Sequence, residues 1–222
     1  DTSTTNHIFR NLKMTASTGG DNYALIKLNP YAENTTIENS VLTGPGNSSD
    51  IHHNTGSIYA TRVNNLTIRN NILHNAPIGI YFKHANTPSQ SDRSDVNILI
   101  ENNFIYDNGR RSLEFNAVGS VVRNNIFGPN GGGIRNNEAN GYPGGDYNRY
   151  ENNTFYSGGI GLTSDTQDGD PLPGSNHNIL HGNIFRTTIG LHNYSSTSHN
   201  TTLDYNIYPT GTTHVENRTN YD

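Results

Sequence analysis

Apolar and polar positions alternate along this chain in a phrase that keeps returning: Ile68-Arg69-Asn70-Asn71-Ile72-Leu73, Ile100-Glu101-Asn102-Asn103-Phe104-Ile105 and Val122-Arg123-Asn124-Asn125-Ile126-Phe127. Looser copies are Ile37-Glu38-Asn39-Ser40-Val41-Leu42, Tyr150-Glu151-Asn152-Asn153-Thr154-Phe155, Leu180-His181-Gly182-Asn183-Ile184-Phe185 and Leu203-Asp204-Tyr205-Asn206-Ile207-Tyr208. The second Asn of each pair recurs about every 22 to 32 residues, the interval of one solenoid coil. Each copy reads as a short strand of period two, a polar bend and a second short strand. Asn suits the bend because it tolerates left-handed backbone and bonds to nearby peptide groups. A second phrase follows, as in Gly79-Ile80-Tyr81-Phe82-Lys83, Ser112-Leu113-Glu114-Phe115-Asn116, Gly133-Ile134-Arg135-Asn136-Asn137, Gly161-Leu162-Thr163-Ser164-Asp165 and Gly190-Leu191-His192-Asn193-Tyr194. Each coil therefore holds at least three strands, and no amphipathic helix is found. This predicts an all-β parallel β-helix of about seven to eight coils.

The Asn-Asn-Ile-Phe and Gly-Ile-x-apolar phrases resemble the right-handed parallel β-helix repeats of the pectate-lyase-like superfamily, over roughly residues 35 to 208. The resemblance implies that fold. It leaves activity open, because the superfamily includes polysaccharide lyases, glycoside hydrolases, epimerases, phage tailspikes and surface adhesins.

Composition fits one solenoid domain over residues 1–222, whose thin strand-lined core needs few apolar residues. Only 31% of the residues are hydrophobic and mean hydropathy is -0.74. Cysteine is absent, which removes disulfides and thiolate metal sites. No apolar run is long enough to cross a bilayer, and a net charge of -5 without a basic stripe argues against nucleic acid as the main partner. The chain begins at Asp1 without a leader-like segment, as a mature product, processed fragment or excised domain would. An extracellular or cell-surface location is the expectation. The sequons, including Asn34, Asn65 and Asn152, are no more numerous than chance gives among 36 Asn. The repeated Asn pairs are read as structural ladders, not as catalytic groups.

Alternate residues of a strand face opposite sides. In the second phrase Ile80, Phe82, Leu113, Phe115, Ile134, Leu162 and Leu191 face in. The outward column reads Tyr81, Glu114, Arg135, Thr163 and His192, and the next one Lys83, Asn116, Asn137, Asp165 and Tyr194. At ~4.8 Å per coil, Lys83, Glu114 and Arg135 span ~10 Å, the length of one or two sugar units. A plain ladder of opposite charges is the competing explanation. Insertions from His84 to Asp95, Asn136 to Arg149 and Ser164 to His177 would wall one side of a groove. Tyr142, Tyr147 and Tyr150 would supply stacking surfaces, with a place in the core the equal alternative for Tyr150. Asp165, Asp168 and Asp170 cluster oxygen ligands as a calcium site does, without EF-hand spacing, and a solvated acidic turn is the more common explanation of such a cluster.

For an enzyme, the resemblance favours action on a polysaccharide, with β-elimination better supplied than hydrolysis. Lys83 is then the candidate base, Arg135 the neutraliser of the uronate carboxylate, and Glu114, with Asp165, a calcium or substrate contact beside them. Tyr81, His192, Tyr142 and Tyr147 are the candidate substrate contacts. The alternative is a structural or adhesive surface protein, or a filament subunit, that self-associates through its coil ends.

Overall fold

A computed structural model describes residues 6–17, 23–30, 32–47, 55–83, 96–138, 145–164, 175–186, 189–193, 200–210 and 213–217. The chain winds in triplets of strands. β1 (Ile8–Arg10), β2 (Lys13–Thr15) and β3 (Ala24–Leu28) are followed by β4 (Thr36–Glu38), β5 (Val41–Thr43) and β6 (Gly56–Ala60). Then come β7 (Thr67–Arg69), β8 (Ile72–His74), β9 (Ile78–Phe82), β10 (Leu99–Glu101), β11 (Phe104–Tyr106) and β12 (Arg111–Phe115). β13 (Val121–Arg123), β14 (Ile126–Phe127), β15 (Ile134–Glu138), β16 (Arg149–Glu151), β17 (Thr154–Phe155) and β18 (Ile160–Ser164) continue the winding. β19 (Ile179–His181), β20 (Ile184–Phe185), β21 (Ile189–Asn193), β22 (Thr202–Asp204) and β23 (Thr213–Asn217) complete it.

Like strands stack into three parallel sheets. The first runs β1-β4-β7-β10-β13-β16-β19-β22, the second β2-β5-β8-β11-β14-β17-β20, and the third β3-β6-β9-β12-β15-β18-β21-β23. This is the expected parallel β-helix, and no helix occurs among the described residues.

The repeated phrase makes the corner between the first two sheets. Its first Asn takes left-handed backbone at Asn39, Asn70, Asn102, Asn124 and Asn152, all with φ between 52° and 56°. Gly182 occupies the same corner at φ 66°, where glycine has no side-chain penalty. The second Asn points inward and forms a ladder. Asn103 donates from its backbone N to Asn125 Oδ1 at 2.9 Å, and from Nδ2 to the same atom at 3.0 Å and to the Ile68 carbonyl at 2.9 Å. Its own Oδ1 accepts from Asn71 N and Nδ2. The pattern runs on through Asn153, Asn183 and Asn206. Toward the other end Ser40 takes the rung, and Leu12, whose N–H donates to Ser40 Oγ, follows it.

The core is built of columns. Ile37, Ile68, Ile100, Val122, Tyr150 and Leu180 stack behind the first sheet. Behind the second, Phe127, Phe155 and Phe185 stack at 4.8 Å between centroids. Ile58, Ile80, Leu113, Ile134 and Ile160 line the third.

Outside the first sheet, one register column alternates in sign: Arg10, Glu38, Arg69, Glu101, Arg123 and Glu151. Glu38 accepts from Arg10 Nε at 2.5 Å and from Arg69 Nε at 2.7 Å. Those bonds, Arg69's foremost, hold its carboxyl below the usual range against the opposing effect of burial. Arg123 donates to Glu101 at 2.8 Å, whereas Glu151 is bonded by Arg149 of its own strand.

Candidate functional site

The outer face of the third sheet carries the residues singled out by the outward alternation. Strand pairing aligns Lys27, Tyr59, Tyr81, Glu114, Arg135, Gly161 and His192 in one column. This corrects one position, because Gly161 stands opposite Arg135 while Thr163 stands opposite Asn137, one pleat further on. Gly159-Ile160-Gly161-Leu162 offers the glycine-apolar phrase twice, and burial of Ile160 against Ile134 selects the earlier frame. β9, β15 and β18, the strands that run into the three long insertions, all belong to this sheet, while 84–95, 139–144 and 165–174, the bulk of those insertions, lie outside the described residues.

Along the column the chemistry changes from aromatic to charged. Lys27 Nζ lies 5.1 Å from the Tyr59 ring centroid, and the Tyr59 and Tyr81 rings meet edge to face at 5.5 Å. Glu114 is next, 6% exposed, between Arg110 Nη1 at 3.9 Å and Arg135 Nη1 at 3.8 Å. These separations are Coulombic contacts and too long for hydrogen bonds. Glu114 Oε2 has no hydrogen-bond partner among the described residues. Burial raises the Tyr81 hydroxyl far above its usual range, with the Glu114 carboxylate adding to the effect and Tyr59 after it. Arg135 is 8% exposed.

The adjoining column holds a second irregularity. Asn116, directly after β12, is 2% exposed, yet neither its Oδ1 nor its Nδ2 has a hydrogen-bond partner among the described residues. Extending the Tyr81–Glu114 register by two residues places Lys83 beside it, half-buried, its backbone N donating to the Ala60 carbonyl at 2.9 Å. Buried amides are normally satisfied, so an unsatisfied one calls for an explanation.

The structure thus brings Tyr81, Glu114 and Arg135 together, with Lys83 one pleat away. His192 is in register with Gly161 and stands three coils beyond Glu114 by that column. Tyr147 lies elsewhere. It occupies the corner leading into the first sheet, exposed and left-handed at φ 56°, its ring stacked on His177 at 4.8 Å. Tyr142, Asp165, Asp168 and Asp170 fall outside the described residues. Among the described residues no three metal-ligating side chains converge.

Arg110 is the residue that strand periodicity could not supply, since it sits in the turn before β12 and reaches Glu114 by an i,i+4 contact. Asn116 was visible as an outward position, but its lack of partners is a tertiary property. Compared with known proteins, the chain matches no family model and no curated protein.

Proposed function

We propose that this chain is a carbohydrate-directed β-helix protein of the pectate-lyase-like type that binds an acidic polysaccharide along the outer face of the third sheet. One observation carries the reading. Two polar groups on that face, the Glu114 Oε2 atom and the Asn116 amide, are buried and lack hydrogen-bond partners among the described residues. Groups of this kind are what the hydroxyls of a sugar satisfy, and contacts longer than 3.5 Å leave room for a bridging oxygen. Among the described residues, Lys83, Arg110 and Arg135 set three positive charges against the Glu114 carboxylate, in a chain of net charge -5. That excess favours a uronate over a neutral sugar.

Binding fits this geometry better than turnover. In β-elimination Lys83 would take the proton beside the carboxylate and Arg135 would neutralise it, with Glu114 orienting the ring. Arg135 already faces Glu114, however, and stands two coils from Lys83, about 10 Å along the axis. A guanidinium so balanced has less charge to offer a developing enolate.

The test is retention of the protein by polygalacturonate and alginate, with and without a calcium chelator, while unsaturated uronate and reducing ends are followed together. Asn116→Ala should lower retention about tenfold with the fold intact, the effect of one lost ligand-facing amide pair. Retention equal to wild type in Asn116→Ala and in Lys83→Ala would sink the proposed site. Unsaturated product lost in Lys83→Ala would promote binding to catalysis.

A further inference from the structure

The second sheet has an outer face of different character. Val41, Ile72, Phe104, Ile126, Thr154 and Ile184 stand in one register column, and a bridge extends it to Ile207. These are outward positions: Ile72, Phe104, Ile126 and Ile184 are each near 40% exposed and Ile207 is 60% exposed. Beside them runs an aromatic line. His74 and Tyr106 stack at 4.9 Å, Phe104 and Tyr106 at 4.5 Å, and Arg186 lies over the exposed Tyr156 ring at 4.9 Å. Gly128 makes the stack feasible, because a Cβ there would come within 2.7 Å of Tyr106 and 2.8 Å of Phe104. No Asp or Glu occurs in the strands of this sheet. Exposed apolar surface in such an ordered array marks a contact surface.

We infer that this face is a platform for a linear, neutral polysaccharide, bound through the faces of its sugar rings. Shape decides against the other occupants. With seven strands at ~4.8 Å and two side-chain columns ~6.7 Å apart, the strip is roughly 34 Å by 10 Å, so it offers about 350 Å2 where a stable dimer needs ~800 Å2 per partner. A second copy of the chain is therefore under-supplied. An extended peptide would need free backbone groups, but successive strands here bond to each other and only side chains face out. A sugar chain needs neither a broad patch nor a strand edge. Its C–H groups pack on the exposed Ile72, Phe104, Ile126 and Ile184 side chains and against the outward edges of the stacked Tyr106 ring and the Tyr156 ring, while Thr43, Thr154 and the tyrosine hydroxyls meet its rim. With no carboxylate in its strands, and with Lys13 at one end of the column, Asp107 just past Tyr106 and Arg186 over Tyr156 as its charged neighbours, the face favours a neutral chain. The site is separate from the third-sheet face and stands or falls without it.

The experiment is co-sedimentation of the whole protein with amorphous cellulose and with chitin at low and high salt, beside light scattering of the free protein. The expected result is retention that salt leaves unchanged, that falls about tenfold in Tyr106→Ala/Tyr156→Ala, and that an excess of polygalacturonate does not displace. Ile184→Ser, which removes no ring stack, should weaken retention as well and guards against misfolding of the double variant. Arg123→Ala on the first sheet should leave it unchanged. Absence of retention on both glycans overturns the inference, and so does displacement by polygalacturonate, which would assign all binding to the third sheet. A dimer that Ile126→Arg dissociates would assign the face to a second copy.

Discussion

Asn103 and Asn116 belong to the same coil and are equally hidden, each 2% exposed. At Asn103 the amide and the backbone N–H donate three bonds and the side-chain oxygen accepts two. At Asn116 no bond to a described residue is made by either polar side-chain atom. Desolvating an amide is unfavourable in both places, and only the ladder offsets it within the fold. One asparagine therefore belongs to stability, while the other is a local burden that the fold tolerates. Burdens of that kind gather where a protein does something besides fold.

The contrast is easiest to break from the ladder side. Asn103→Ala leaves the Asn71 backbone N–H without its acceptor and removes one bond each from Asn71 Nδ2, which keeps the Ile37 carbonyl, and from the Ile68 carbonyl, and at ~1–3 kcal/mol per buried unsatisfied group it should destabilise the chain by about 3 kcal/mol in urea unfolding. Asn116→Ala should do the reverse, leaving stability unchanged or raising it by up to about 1 kcal/mol while acidic-glycan retention falls. Comparable destabilisation in the two variants would erase the distinction. The first-sheet charge column supplies a milder comparison. The Glu38 carboxyl titrates below its unfolded value, so its contribution is fully present above about pH 4.3 and disappears as pH falls through the lower folded value. Glu38→Gln should accordingly flatten the acid limb of the stability profile, read from melting temperature against pH. Smallest of all is Arg123→Ala, which removes an exposed pair with Glu101 and should cost no more than about 1 kcal/mol by chemical denaturation.

Much of this architecture was legible because the chain is redundant. Ile68, Ile100 and Val122 were aligned by their Asn-Asn neighbours before any coordinates, and the pairing places them in one column. The same phrases also contained the alternating Arg69, Glu101, Arg123 and Glu151, and the outward Ile72, Phe104 and Ile126. Both columns follow the period of two that the chain carries openly, beside the stronger mark of the Asn pair. The third sheet was harder. Its strands lack a fixed polar mark, so the frame at Gly161 slipped by two residues. Placing Arg110 against Glu114 required knowledge of a turn, and the burial of Asn116 depends on contacts far along the chain.

The rungs of the Asn ladder are 22 to 32 residues apart, and every one joins a coil only to its neighbours. Pulled at its two ends, such a ladder has no rung spanning the stack that could fail all at once. Load falls on whichever terminal coil is outermost, that coil peels, and the next one inherits the tension. Each release frees a loop of roughly 75 to 110 Å at about 3.4 Å per residue. The chain is in this sense a spooled tether, able to lengthen stepwise under force while the coils still wound keep their faces intact.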